Sequence, residues 1–178
     1  FSPGLIDGKP GRKTKLAIEH WQRARGLEVT GAMDAATMAA LAAQDPMAES
    51  KDGGVWTRAH TITEEDLALV TGPVPEDWNV RAELAVSGYA DLEDLLAECG
   101  WCSVDLLRAL NPGVMINERV AGDEVVIPDV RDRPAAVKLA RVEIALGEKM
   151  LLGFDTSGAQ VMLLHCSVAK VAEKHRLR

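Results

Sequence analysis

The chain has little of what defines several protein classes. It contains only three cysteines in 178 residues, too few for a disulfide-stapled scaffold. No run approaches the roughly 20 apolar residues that a membrane-spanning helix requires. The formal net charge of −7 argues against nucleic acid as a partner, because nucleic-acid binders normally present a basic face. These absences leave a chain whose 47% hydrophobic content is enough to build real cores.

The first residues show no export signal. Residues 1–4, Phe-Ser-Pro-Gly, lack an initiating Met, a basic region and a hydrophobic stretch. This composition is typical of a point inside a longer protein. We therefore expect the 178 residues to be a fragment of a longer chain.

A glycine- and lysine-rich stretch at residues 7–14, DGKPGRKT, has some features of a phosphate-binding loop. Such a loop needs glycine directly before the lysine, so that backbone N–H groups can surround the phosphate. Arg12 occupies that place, and no apolar strand leads into the stretch. The sequence therefore does not predict a nucleotide site here.

Cys99 and Cys102 have the C-x-x-C spacing of redox proteins. A redox-active pair sits at the start of a helix, where the dipole lowers the thiol pKa, but Cys99 is predicted to end a helix. We interpret the pair as core or turn residues, with a structural disulfide as the alternative. A zinc site would need two further ligands, and no second such pair occurs. The sequence implies no metal and no organic cofactor.

The first segment, residues 1–45, is predicted to be helical. Apolar side chains recur at helical spacing around Trp21, and Gly26 ends this helix. Asp34 is placed to cap a short second helix, on which Met38 is predicted to face inward.

Residues 46–60 mix proline, glycine and charge and are predicted to form a linker. The next segment, residues 61–130, begins with an ambiguous pattern. Two helical patterns then follow the cap candidates Asp91 and Ser103. EVVIP, at 124–128, is predicted to be a short strand.

Residues 129–135 are predicted to form a second linker, after which the hydrophobic period changes to two. KLARVEIAL and KMLLGF are predicted strands joined at Gly147 and Glu148, and DTSG turns the chain into a third strand. Residues 136–178 thus predict a partial β domain built as a meander. The predicted fold class is modular α+β.

The first segment resembles the small three-helix peptidoglycan-binding domain attached to many bacterial cell-wall enzymes. In that family a D-G-x-x-G-x-x-T-x-x-A-[VI]-x-x-[FW]-Q string precedes G-L-x-x-T-G-x-x-D-x-x-T. This sequence keeps every element, on Gly4, Asp7, Gly8, Gly11, Thr14, Ala17, Ile18, Trp21, Gln22, Gly26, Leu27, Thr30, Gly31, Asp34 and Thr37. The resemblance implies that residues 7–14 form the tight loop between the family's first two helices. The first of those helices is expected to precede Phe1.

The second segment resembles a divergent LysM module, a βααβ unit that binds N-acetylglucosamine polymers. Its two capped helices, Leu110-Asn111-Pro112 and AGDEVVIP match the later half of that module. The module's opening strand and its Gly-Asp pair are not evident.

The third segment, from ARVEIAL at 140 to SVAK at 170, is similar to the opening hairpins of the L,D-transpeptidase catalytic domain. Such enzymes cross-link peptidoglycan stem peptides through a cysteine thiolate that a histidine activates. Their S-H-G-x-x-R-type string around that cysteine does not occur here. The resemblance therefore implies no catalytic residue in this chain and leaves open whether it is part of an enzyme.

Together the resemblances imply the peptidoglycan-binding region of an exported L,D-transpeptidase, periplasmic or wall-associated, that tethers the enzyme to glycan strands. The alternatives are the N-terminal part of an active L,D-transpeptidase and a helical scaffold without glycan affinity. The candidate substrate-binding residues are Asp7, Thr14, Trp21, Gln22 and Asn111. Turn geometry is an alternative role for Asp7, and core packing is one for Trp21.

The other three tryptophans, Trp56, Trp78 and Trp101, are predicted to lie in loops or turns. An aromatic ring can offer its apolar face to a ligand while its polar edge stays wet. We interpret each as a surface residue or, alternatively, as a lining residue of a glycan groove.

Overall fold

The computed structural model describes residues 1–43, 56–130 and 138–168. Within them the chain is α+β, as predicted, with short helices and two small antiparallel sheets. In chain order the helices and strands are α1 (Arg12–Ala24), α2 (Ala35–Ala42), β1 (Thr57–Thr61), α3 (Glu64–Leu69), α4 (Trp78–Ala82), α5 (Leu92–Cys99), α6 (Val104–Leu110), a 3-10 turn (Ile116–Glu118), β2 (Glu124–Pro128), β3 (Arg141–Ala145), β4 (Met150–Phe154) and β5 (Gln160–His165).

The described residues form two compact units. The first contains residues 1–4, 10–43 and 138–168, and therefore helices α1 and α2 with the sheet β3–β5. The second contains residues 5–9 and 56–130, with β1, β2 and helices α3 to α6.

Most of the two predicted linkers lies outside the described residues. Strand β1, however, begins at Thr57, inside the stretch 46–60 that was predicted as a linker. Its sequence TRAHT has no run of apolar residues, and it is a strand because it pairs antiparallel with β2, from Thr57 opposite Pro128 to Thr61 opposite Glu124. Periodicity cannot reveal a strand whose order comes from its partner.

The two helices of the first unit follow the predicted signals, with one exception. Trp21 is buried on α1, and the chain leaves that helix through Gly26 at φ +66°. Asp34 caps α2 as predicted. Met38 is 58% exposed, so its predicted inward orientation is wrong, because Thr37 is the residue that α2 buries.

The three strands of the first unit form the predicted meander, in the order β3–β4–β5. The β3–β4 connection passes through Gly147 and Glu148, as predicted. In the β4–β5 turn, the Asp155 carboxylate accepts the N–H groups of Ser157 and Ala159 at 2.8 and 3.0 Å. The Asp155 side chain thus supplies acceptors for N–H groups of the turn that have no neighbouring strand to bond to.

The second unit is built around one apolar cluster. Asp91 and Ser103 cap α5 and α6 as predicted, and β2 has the predicted bounds. The fully buried members come from four elements and one connecting segment, and they are Ile62, Leu95, Leu96, Leu107, Ile116, Val125 and Ile127. The alternation along β2 places Val125 and Ile127 in this cluster.

The stretch whose sequence pattern was ambiguous contains two further short helices. Thr63 and Asp66 form a reciprocal capping box at the start of α3, and Asp77 caps α4. Trp78 is the first residue of α4, so its predicted position in a loop or turn is wrong.

Candidate functional site

The five candidate substrate-binding residues do not share one compact unit. Thr14, Trp21 and Gln22 lie on α1 in the first unit. Asp7 and Asn111 lie in the second unit.

Gln22 is 0% exposed and holds the loop between α1 and α2. Its Oε1 accepts the backbone N–H groups of Thr30 and Gly31, each at 2.9 Å. Its Nε2 lies 2.7 Å from Thr37 Oγ1, 3.0 Å from Thr30 Oγ1 and 3.1 Å from Ala32 O. All the hydrogen-bonding capacity of this amide is used inside the protein. Gln22 is therefore a structural clamp and offers no polar atom to a ligand.

Asp34 completes the polar network around this loop. Its Oδ2 accepts the hydroxyl hydrogen of Thr30 at 2.6 Å, and its Oδ1 accepts the N–H of Thr37 at 2.8 Å. These hydrogen bonds, the one from Thr30 above all, hold the pKa of the Asp34 carboxyl below its ordinary value. Gly31 between them has φ +67°, a backbone conformation that residues with a Cβ rarely adopt. The loop therefore requires glycine at this position.

Trp21 is 8% exposed, which confirms its predicted core packing. One side of it borders an apolar cleft of about 220 Å³, which we call the first-unit cleft. The residues that line the cleft are Phe1, Pro3, Thr14, Ala17, Ile18, Trp21, Met33, Thr37 and Leu41. Small-molecule pockets are usually about 300–1,000 Å³, so this cleft fits a small apolar group of a larger ligand.

Sequence reasoning had not marked Phe1, Pro3 or Met33 as site residues. Phe1 and Pro3 lie in the segment before α1, and Met33 lies in the loop between α1 and α2. All three line the cleft beside α1. The only local signal is the position of Met33 directly before the cap residue Asp34, where its apolar side chain is 50% exposed.

Asp7 and Thr14 stabilise the backbone where the resemblance implied. The exposed Asp7 carboxylate accepts the N–H of Lys9 at 2.9 Å, which confirms its predicted turn role. The Thr14 hydroxyl lies 3.4 Å from the N–H of Gly11, at the start of α1. Of these two residues, only Thr14 also lines the first-unit cleft.

Asn111 has the same kind of role as Gln22. It is buried, and its Nδ2 donates to the carbonyl oxygens of Leu107 and Val126, both at 2.8 Å. Its Oδ1 accepts the N–H of Val126 at 2.8 Å. Asn111 therefore ties the end of α6 to β2, and its geometry lends no support to the predicted substrate contact.

The cysteines lack the features of reactive thiols. Cys99, Cys102 and Cys166 are free. Cys102 is part of the buried cluster, and burial raises the pKa of both the Cys99 and the Cys102 thiols. In the described parts of the chain, no group of three or more His, Cys, Asp or Glu residues is placed to hold a metal ion.

Comparison with known families matches residues 1–41 to a family described as a putative peptidoglycan binding domain. The match supports peptidoglycan binding by this segment. We call residues 1–41 the peptidoglycan-binding segment, and they make up 41 of the 178 residues. No curated protein matches the chain. Over the described ranges, no helix is long and apolar enough to cross a membrane.

The structure explains the T-G-x-x-D-x-x-T pattern of this segment in terms of the Gln22 clamp. Thr30, Gly31 and Thr37 all bond to the Gln22 amide, and Asp34 bonds to both threonines. The pattern thus specifies how α1 and α2 are joined. It does not specify which side chains touch a ligand.

Proposed function

We propose that the peptidoglycan-binding segment contacts peptidoglycan through the first-unit cleft. The observation that carries this proposal is a division of roles. The polar side chains of the motif are occupied within the protein, whereas Ile18, Met33 and Leu41 line a concave apolar surface beside them. Peptidoglycan carries methyl groups on its acetyl and lactyl substituents and on its alanine residues. A cleft of about 220 Å³ has room for several groups of this size, since a cavity of about 150 Å³ can hold a benzene molecule.

Binding by this segment alone is expected to be weak. Burying one methyl or methylene group contributes about 0.8 kcal/mol, and the cleft holds few of them. A weak module still raises the local concentration of an attached domain at the wall, and neighbouring binding sites on one polymer multiply the effect.

The proposal extends to the longer protein. We infer an L,D-transpeptidase that is exported to the periplasm or cell wall and that this region tethers to glycan strands. The order of the segments supports this: the peptidoglycan-binding segment is followed by the second unit and then by the β3–β5 meander. In the second unit, α5 and α6 lie in the chain between two antiparallel strands, β1 and β2, as in a LysM-like βααβ module. Helices α3 and α4 are additional to that module.

Two alternatives remain distinct from this proposal. In one, the chain is the N-terminal part of an active L,D-transpeptidase, and an S-H-G-x-x-R-like string is encoded after residue 178. In the other, the helical segment is a scaffold without glycan affinity. Sequencing the gene beyond this point and assaying stem-peptide cross-linking by the extended protein test the first alternative.

Co-sedimentation with purified sacculi tests peptidoglycan binding itself. The full chain is expected to pellet with sacculi at low salt. Met33→Glu places a charge in the cleft, and we expect at least a fivefold loss of affinity, about 1 kcal/mol. Met38→Glu is the matched control, because Met38 is similarly exposed, lies on α2 and does not line the cleft.

Both variants should melt like the parent protein, because Met33 is 50% and Met38 is 58% exposed. A full chain that stays in the supernatant would favour the scaffold. Equal losses in the two variants would move the contact away from the cleft.

A further inference from the structure

The sheet β3–β5 has two unlike faces. On one face Met150 and Leu163 are buried inside the first unit. The other face, which we call the apolar sheet face, carries two rows of residues across the three strands, Val142, Gly153 and Met162 in one row and Ile144, Leu151 and Leu164 in the other. The outer face of an antiparallel sheet is normally polar. None of these six residues is polar.

Exposure on the apolar sheet face is greatest at β3. Val142 is 49% and Ile144 is 60% exposed, whereas Leu151, which pairs with Ile144, is partly buried. At the opposite edge of the sheet, Ser2 donates its N–H to Leu163 O of β5 at 2.8 Å. No described strand pairs with the outer side of β3. The backbone groups and apolar side chains of this edge therefore lack a neighbouring strand.

Strand β3 has few of the features that protect a sheet edge. Such edges commonly carry a proline, a lysine or a bulge, each of which discourages further pairing. The sequence of β3, RVEIA, contains no proline or lysine, and its five residues pair with β4 without a shift of register. Its two charged residues, Arg141 and Glu143, have opposite signs and form an ion pair. The Arg141 guanidinium also lies over the Phe154 ring, 4.3 Å from its centroid, so the charge is held in place at the edge.

These two charges make the edge complementary to itself. If two β3 strands pair antiparallel about a two-fold axis at Val142, Arg141 of each lies opposite the partner's Glu143. Val142 then lies opposite its own copy, and Ile144 lies opposite the partner's Ala140. An axis at Arg141 or at Glu143 would instead place like charges opposite each other, which is destabilising. The charges therefore favour one register, in which the most exposed apolar side chains also gain neighbours.

We propose that a second copy of this chain docks on β3, so that the two sheets join into one six-stranded antiparallel sheet with Val142 at the two-fold axis. A five-residue strand is too short to bury the roughly 1,200 Å² of a standard interface. The dimer is therefore weak and reversible, with an expected dissociation constant of about 100 μM.

The pairing does not depend on peptidoglycan binding. Its consequence for the wall rests on the proposed function: a dimer carries two first-unit clefts, so two weak contacts on one polymer reinforce each other. Met33→Glu, which changes the cleft, should dimerise like the parent protein. The two proposals can therefore fail independently.

Sedimentation velocity of the full chain over a range of concentrations tests the pairing. The weight-average mass is expected to rise from that of one copy toward that of two. NMR spectra over the same range should show shifts of the β3 amides and none of the α5 amides. A chain that stays monomeric at about ten times the expected dissociation constant would overturn the proposal and assign this edge to another occupant, such as a further segment of a longer protein.

Charge-reversed variants test the register. Arg141→Glu and Glu143→Arg each place two pairs of like charges across the axis, so each should weaken the dimer by about tenfold or more. The double variant restores two pairs of opposite charges, and its dissociation constant should return to within about threefold of the parent value. Arg119→Glu is the matched control, because Arg119 is also a partly exposed arginine in an ion pair, with Asp123, but lies in the second unit. It should leave the dimer unchanged.

The double variant also separates pairing from folding. Each single reversal breaks the ion pair within the chain, whereas the double variant keeps one. Unchanged amide signals of β4 and β5 at low concentration show that a variant is folded. Dimers of parental affinity in both single variants, or a double variant that dimerises no better than either single one, would contradict the proposed pairing.

Discussion

Two buried amides, Gln22 and Asn111, organise the polar interior of the two units. Each uses both its oxygen and its nitrogen to satisfy backbone groups of a neighbouring loop or strand. A buried N–H or C=O left without a partner costs about 1–3 kcal/mol. Each of these two amides satisfies several such groups, so each contributes strongly to the stability of its unit. The hydrogen bonds of both amides serve the fold, although the family pattern includes Gln22.

We expect Gln22→Ala to destabilise the first unit strongly, because it leaves the N–H groups of Thr30 and Gly31 without their acceptor. The expected loss is about 3 kcal/mol, seen as roughly 100-fold faster hydrogen exchange of the α1 and α2 amides. Gln160→Ala is the control, since that amide is half-buried and bonds to His20 and Met162 O. It should accelerate exchange by about tenfold or less. Equal effects of the two variants would contradict the clamp role of Gln22.

His165 makes the stability of the first unit depend on pH. Within the described residues its Nε2 is buried without a hydrogen-bond partner. Burial, and then the charge of Lys13, lower the pKa of its imidazole in the folded state. The unfolded chain therefore takes up a proton first as the pH falls. The contribution to stability is complete above the ordinary histidine pKa of about 6.5 and is lost progressively below it.

We expect the melting temperature of the first unit to fall between about pH 7.5 and about pH 5.5. In His165→Gln this fall should be smaller, because the titrating group is gone. The measurement is a set of thermal melts at three pH values, followed by the NMR amide signals of α1 and β5. Parallel pH profiles for the two proteins would count against the role of His165.

Among the secondary-structure features, the starts of helices were predicted best from the sequence. Asp34, Asp91 and Ser103 each accept an N–H three residues along the chain, so the signal and its effect lie within one turn. Strand β1 was missed because its order depends on β2, far away in sequence. The same limit applies to the concave surface that Arg58, Trp101 and Asp129 line in the second unit, which combines the start of β1, the α5–α6 turn and the residues after β2. No local pattern brings those three together.

A single substitution at Gly100 tests the packing of the α5–α6 turn. Gly100→Ala would place a methyl group 2.8 Å from the rigid ring of Pro128. We expect it to destabilise the second unit by about 1–3 kcal/mol in urea unfolding. Gly147→Ala is the control, because nothing lies within 4 Å of a Cβ there. It should change stability by less than about 0.5 kcal/mol, and a similarly small effect at Gly100 would mean that the turn is free to move.

At the scale of the whole molecule, the sequence predicted the α+β class. It also predicted a peptidoglycan partner, which the family match over residues 1–41 supports. It could not predict the proposed contact surface, because the family pattern describes the Gln22 clamp, whereas Phe1, Pro3 and Met33 line the cleft beside α1. A family pattern can therefore identify a domain through residues, such as Gln22, that stabilise its fold.

The central claim is that this module meets peptidoglycan at the first-unit cleft. Its most direct test is an NMR titration of the full chain with soluble muropeptides that carry the disaccharide and its stem peptide. Saturable shifts are predicted for the amides and methyl groups of Ile18, Met33 and Leu41, with the Trp21 indole among them. Saturable shifts confined to residues remote from the cleft, or no shifts at any muropeptide concentration reached, would contradict the claim.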